Sequence, residues 1–157
     1  ESTAESWGIN TWDLRHLLAW SALLHEVGLQ INSRGVQRHS SYIIEQTDLP
    51  GFNQEQQKLL STLVRYHRKK IKQAELPNFV NYDEATVMKL LVILRLGILL
   101  NINRQETQLP EFSVSLSSNK IVLNFPDNWF DLSPLLLADL EQENAYLENT
   151  PYSIKIR

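Results

Sequence analysis

Apolar residues recur at helical spacing along the first two-thirds of the chain and in alternation along the last third. In the helix predicted from Trp12 to Val27 and just beyond it, Leu14, Leu18, Ala22, His25 and Leu29 fall at i, i+4, i+8, i+11 and i+15, on one face. Gly28 stands where a C-terminal cap would. The polar INSRG is a loop, a short helix is predicted from about Gln37 to Gln46, and DLPGF stops it. Asn53 caps the next helix, with Gln56 three residues on in capping-box position. That helix is predicted to reach about Ile71, its inward face carrying Leu60, Leu63, Val64, His67 and Ile71. LPNFVNY is a linker. Asp83 opens a helix to about Asn101 that is apolar on nearly all sides, which marks it as central to the core.

The period then changes. Phe112, Val114 and Leu116 alternate, then Ile121, Leu123 and Phe125, and the polar SSNK between them makes a β-hairpin. Ser133-Pro134 supplies an N-cap followed by proline at the first helical position, opening a helix to about Asn149. YSIKIR alternates again as a closing strand. The expected fold is mostly α: a helical domain over residues 1–108, then a small α+β domain over residues 109–157 built from hairpin, helix and closing strand. The boundary falls in RQETQLP, Arg104 to Pro110.

Composition narrows this picture without changing it. A chain of 157 residues makes one domain or two small ones and can bury roughly 70% of its unfolded surface. Its 43% hydrophobic and 21% charged residues are ordinary for a soluble protein. The absence of cysteine excludes disulfides, thiolate zinc sites and a cysteine nucleophile, and it suits a reducing compartment. No apolar run approaches a membrane span. The opening ESTAESWG has neither a basic nor an apolar region of the kind a signal peptide needs.

Charge changes more. The net charge is −3, yet between Glu55 and Glu75 there is no acid and there are six bases, Lys58, Arg65, Arg68, Lys69, Lys70 and Lys72. On the predicted helix Arg65, Arg68, Lys69 and Lys72 follow i, i+3, i+4 and i+7. Such a stripe is either a solvated helix end whose cations meet the negative pole, or a track for a polyanion, where arginine offers a planar fork to phosphate oxygens and lysine a mobile charge. Arg34, Arg38 and His39 lie in NSRGVQRHSS, with no acid between Glu26 and Glu45; this is either an ordinary polar loop or a helix start open to an anion. His25, Glu26, His39 and His67 invite a metal reading, but their spacing matches no compact zinc motif, and His25 and His67 lie on apolar faces where hydrogen-bonded core histidines are common. There is no G-x-S-x-G elbow, P-loop or G-x-G-x-x-G.

Several segments in order, LLHEVGLQIN, RHSSYII, DLPGFNQEQQKLL, TLVRYHRKKIK and VILRLGILLN, then FPDNWF and LADLEQE, resemble the C-terminal portion of the bacterial exopolyphosphatase / guanosine pentaphosphate phosphohydrolase family. The resemblance runs from about Trp12 to the end, and VRYHRKKIK is similar to the exopolyphosphatase branch. It implies a helical domain like those of HD-superfamily phosphohydrolases, followed by a small α/β piece. It also implies a role in lengthening a polyphosphate-binding channel and in a homodimer interface. The catalytic residues and Mg²⁺ are expected in an actin/sugar-kinase-like half that this chain lacks, so no catalytic residue and no cofactor are expected here.

The residues expected to bind inorganic polyphosphate are Arg34, Arg38, His39, Arg65, His67, Arg68, Lys69 and Lys72, with no nucleic-acid partner. HD enzymes hold metal through an early His, a His-Asp pair and a later Asp. Here the pair is His25-Glu26, Ile98 stands where the later Asp would, and His16 is too close to His25 to serve as the early His. The resemblance therefore implies a degenerate pair and no metal. A cytoplasmic location follows, with peripheral attachment at the inner membrane allowed. Two rival readings are an active HD-type metal-dependent phosphohydrolase and a pure dimerisation module with Trp129-Phe130 on its surface.

Overall fold

The computed structural model describes residues 5–101 and 109–157. Helices α1 (Trp12–Leu24), α2 (Val36–Gln46), α3 (Gln54–Arg65) and α4 (Glu84–Asn101) form the helical part. Single turns of tighter helix follow α1 at Val27–Gln30 and α3 at Gln73–Glu75. Strands β1 (Ser113–Ser117) and β2 (Lys120–Asn124), helices α5 (Trp129–Leu132) and α6 (Pro134–Tyr146), and strand β3 (Ser153–Ile156) complete the chain.

The helix starts follow from their caps. The Thr11 hydroxyl accepts from Leu14 N, and Asn53 and Gln56 exchange side-chain and backbone hydrogen bonds as a complete capping box. The Asp83 carboxylate accepts from Thr86 N at 2.7 Å. Helix α4 is buried around most of its circumference, from Val87 through Leu96, as its continuous apolar sequence requires.

The face expected for α1 is rotated. The core side carries Leu14, Leu17 and Ser21, whereas Ala22 and Leu29 are exposed. The helix also ends earlier than Val27, and Gly28 is not a left-handed cap. It is buried because the chain passes against α2: Gly28 N donates to Ser40 Oγ, and that hydroxyl donates to the His25 carbonyl, each at 2.8 Å. A Cβ on Gly28 would stand 2.4 Å from Ser40 N and 2.6 Å from the Val36 carbonyl oxygen. The glycine is required for close approach of two backbones.

The sheet has order β1-β2-β3, with β1 antiparallel to β2 and β2 parallel to β3. A two-residue turn, Ser118-Asn119, joins the hairpin, pairing Leu116 with Ile121. The FPDNWF segment forms the short α5. Trp129 and Phe130, a possible dimer surface in the sequence, are half-buried against Phe125 at centroid distances of 5.3 and 4.8 Å.

The expected boundary falls largely on residues 102–108, outside the described residues, but the core is continuous across it. Trp7 donates through Nε1 to the Ser118 carbonyl and meets Tyr152 edge-on at 5.5 Å. Arg95, only 2% exposed in α4, forms a bidentate ion pair with Glu143 of α6, at 2.5 and 2.9 Å.

This packing makes two predictions about stability. Gly28→Ala lowers the unfolding free energy by about 1–3 kcal/mol, because the methyl group meets backbone. Arg95→Met or Glu143→Leu alone costs about 3–5 kcal/mol by leaving a buried charge unpaired, while the double variant recovers most of that loss. Urea denaturation of the variants checks both.

Candidate functional site

The basic segment after α3 is shaped by its hydrogen bonds. The sequence pattern extends α3 to Ile71, but the helix stops at Arg65. Three things stop it. The His67 ring turns back and donates through Nδ1 to the Val64 carbonyl at 2.6 Å. Arg95 Nη1 donates to the Tyr66 carbonyl at 2.6 Å. Lys69 adopts a left-handed backbone, φ 66°, which reverses the chain and lets Ile71 return to the core. The result is a turn with His67 inside and Arg68, Lys69 and Lys70 outside. The cations therefore do not form the helical stripe expected from their spacing.

This turn borders a cleft of about 890 Å³, walled also by α1, α4 and α6. Leu18, Ile93, Leu94 and Ile98 give it apolar walls. Arg15, Arg68 and Lys69 contribute cations, and Glu26 and Asp139 contribute carboxylates. The Arg95–Glu143 pair forms part of the lining and is already mutually neutralised. Among the described residues, the side chains of Arg68 and Lys69 make neither an ion pair nor a hydrogen bond within the chain. Both are exposed, so their charge is available to a solute anion.

The sequence-expected residues divide into two sets. His67, Arg68 and Lys69 line the cleft together with the pair His25-Glu26. Arg34, Arg38, His39, Arg65 and Lys72 are not among its lining residues. Arg34 and Arg38 are exposed at the start of α2, and His39 is half-buried where α2 passes Gly28. The Arg65 guanidinium lies 5.6 Å from the centre of the Tyr66 ring, and Lys72 pairs with Glu75 at 2.8 Å. Sequence reading gave no role to Arg15, Asp139, Glu143 or Tyr146 of the cleft. The signal for Glu143 was present in Arg95, a cation deep in an apolar helix that needs a buried partner.

The pair His25-Glu26 is brought to the same cleft. His25 donates through Nδ1 to the Ala22 carbonyl at 2.8 Å, and its Nε2 lies 3.9 Å from a Glu26 oxygen. Ile98, which the sequence resemblance sets in the place of an HD carboxylate, lines the cleft too and leaves that wall apolar. Among the described residues no three His, Asp or Glu side chains are gathered as a metal-ligand group. Hydrolytic Mg²⁺ or Mn²⁺ centres require several oxygen donors. This donor set, imidazole with one exposed carboxylate, does not fit such a centre.

Burial pushes the His67 imidazole down to about 4, although its bond to the Val64 carbonyl works in the opposite direction. The unfolded chain, titrating near 6.5, then binds the extra proton first. Stability contributed by neutral His67 is fully present above pH 6.5 and is lost as pH falls from there through about 4. The loss amounts to about 3 kcal/mol. Urea midpoints measured across that window fall with acid in the natural chain, and His67→Gln shows a shallower dependence.

A family model described as Ppx/GppA phosphatase, domain III, matches residues 2–144. The guanosine-5'-triphosphate,3'-diphosphate pyrophosphatase of Pseudoalteromonas translucida is 30% identical over 140 residues, covering 89% of this chain and 28% of that protein. The protein of the same name from Photobacterium profundum is 34% identical over 139 residues, covering 88% and 27%. That from Vibrio vulnificus is 34% identical over 127 residues, covering 81% and 25%. This chain thus spans little more than a quarter of the length of these curated relatives. Helices α1 to α4 and most of the α+β element lie inside the matched region, and the chain belongs to the Ppx/GppA phosphatase family, whose domain III it matches.

Proposed function

We propose that this chain is a non-catalytic, phosphate-chain-binding domain of a phosphoanhydride hydrolase, and that inorganic polyphosphate is its ligand. The observation that carries this reading is the pair of exposed cations, Arg68 and Lys69, held at the edge of a cleft without side-chain partners among the described residues. A guanidinium and an ammonium on adjacent residues take two oxygens of a phosphate chain. Each contact alone is weak in water, and a repeating anion makes the sum matter. On this reading hydrolysis and its Mg²⁺ belong to the remainder of a longer parent.

Guanosine pentaphosphate is the rival ligand, favoured by the names of the relatives above. It presents the same oligophosphate chemistry to Arg68 and Lys69, so the two ligands must be separated by experiment. A homodimer also belongs to this reading. Its support is the outer stripe of α1, where Trp12 is 75% exposed and Trp20 and Leu23 follow at helical spacing. Large apolar side chains of this kind anchor interfaces. Among the described residues no helix is long and apolar enough to cross a membrane.

Binding of polyphosphate, measured by calorimetry at several salt concentrations, should fall linearly on logarithmic axes. Arg68→Gln and Lys69→Asn, the latter chosen because asparagine tolerates a left-handed backbone, should each weaken binding several-fold and reduce the salt slope by about one. Unchanged affinity in both variants would remove the support given by these cations. A parallel titration with guanosine pentaphosphate decides between the ligands.

A further inference from the structure

We propose that the cleft takes the hydrocarbon chain of a fatty-acid-type carboxylate, with its head group held by Arg68 and Lys69 at the edge. The inference shares those two cations with the phosphate-chain reading but does not rest on it.

Gly97 lies well inside α4. A glycine weakens a helix interior relative to alanine, and it is tolerated best where a left-handed backbone or a close approach requires it. Neither applies. Gly97 is not among the residues of positive φ, and a Cβ built on it would meet no atom within 4 Å. It is exposed, and it lines the cleft. Across from α4, the α1 wall carries Ala19 and Ala22, which are also short and exposed. Short side chains alone define no site, but here they stand beside Leu18, Ile93 and Ile98, which line the same cleft and are only half-buried. The fold thus leaves apolar surface open to water and keeps room beside it. A cleft of about 890 Å³ is large enough for a small organic ligand, and a hydrocarbon chain laid in it would remove that surface from water.

Charge selects the kind of chain. Deep in the wall, Arg95 and Glu143 satisfy each other and ask for no counter-ion. At the edge, Arg68 and Lys69 have no side-chain partner among the described residues. A guanidinium fork takes both oxygens of a carboxylate, and the adjacent ammonium adds a second charge. The carboxylates of the lining, Glu26 and Asp139, are exposed, so their repulsion on a bound head group is screened. A phosphate chain matches the cations and not the apolar walls, and a neutral hydrocarbon matches the walls and not the cations. An anionic amphiphile matches both.

The test uses the whole chain. Calorimetric titration with octanoate, decanoate and dodecanoate, each kept below its micelle concentration, should show one saturable site, with affinity rising about 10-fold for each two added methylenes. Dodecyltrimethylammonium, with the same chain and a cationic head, should bind much more weakly than dodecanoate. Methyl spectra should show Ile93 and Ile98 shifting with dodecanoate. Gly97→Leu, checked as folded by circular dichroism, should weaken dodecanoate binding by about 10-fold or more by filling the cleft, and should leave polyphosphate binding as in the natural chain. Arg68→Gln should weaken dodecanoate several-fold. The methyl spectra of the natural chain decide the matter if Gly97→Leu does not fold. The proposal is overturned by a lack of saturable binding, by affinity that does not depend on chain length, by equally tight binding of the cationic amphiphile, by methyl shifts that spare Ile93 and Ile98, or by a folded Gly97→Leu that binds dodecanoate as well as the natural chain. Loss of polyphosphate binding alone would bear on the phosphate-chain reading and not on this one.

Discussion

Helix α4 is so apolar that it has to be buried, and it carries one guanidinium into that burial. Arg95 cannot remain there without a counter-charge. Glu143 of α6 meets it with both carboxylate oxygens, and a third donor of the same guanidinium takes the Tyr66 carbonyl. One side chain thereby fixes α6 against α4 and holds the exit of α3. Desolvation offsets much of what such a pair gains from attraction, so its contribution to net stability is modest. Its effect on arrangement is larger, because any slip of α6 along α4 would leave two buried charges apart.

The consequences reach the candidate site through the Tyr66 carbonyl. Where α3 would continue, Arg95 and His67 take carbonyls that the next helical turn would have used. The chain reverses at Lys69, returning Ile71 to the core and leaving Arg68 and Lys69 in solvent. Burial acts differently on the neighbouring groups. His67 is enclosed and kept neutral, whereas the two cations keep their hydration. One short turn therefore presents a buried imidazole to the cleft lining and positive charge to its edge.

Most elements were legible because their signals are local. The capping box at Asn53 and Gln56, the Ser133-Pro134 start of α6, the alternation of the hairpin and the all-round apolar character of α4 each depend on residues within a few positions. The end of α3 was not legible, since the sequence stays helix-compatible to Ile71 and the interruption comes from Arg95, 29 residues away from Tyr66. Gly28 misled for a similar reason. A glycine after a helix reads as a cap, and its actual cause, contact with the backbone of Ser40 and Val36, is tertiary. The candidate site was half legible. Basic residues are visible in any sequence, but which of them share a cleft depends on the path of the turn. The segment carrying Arg34, Arg38 and His39 does not enter the lining.

On the proposed reading, Ile98 accounts for a cleft that takes anions at its edge and holds no hydrolytic metal at its base. A carboxylate at that position would draw a dication toward several oxygen donors and make the interior a hard-metal centre. An isoleucine leaves that wall apolar, and among the described lining residues the buried charges are the self-compensated pair Arg95–Glu143, with the other lining charges exposed. An oligophosphate has no reason to enter an apolar base, where it would lose its hydration without gaining a counter-ion. It meets unpaired positive charge at Arg68 and Lys69, on the solvent side. If phosphate chains bind as proposed, two cations would hold one or two phosphate units, and tight, length-dependent retention of a long chain would have to come from many such contacts acting together. On that proposal the domain would contribute to polymer binding by adding its contacts to those of other surfaces, with an effective concentration set by the connection between them.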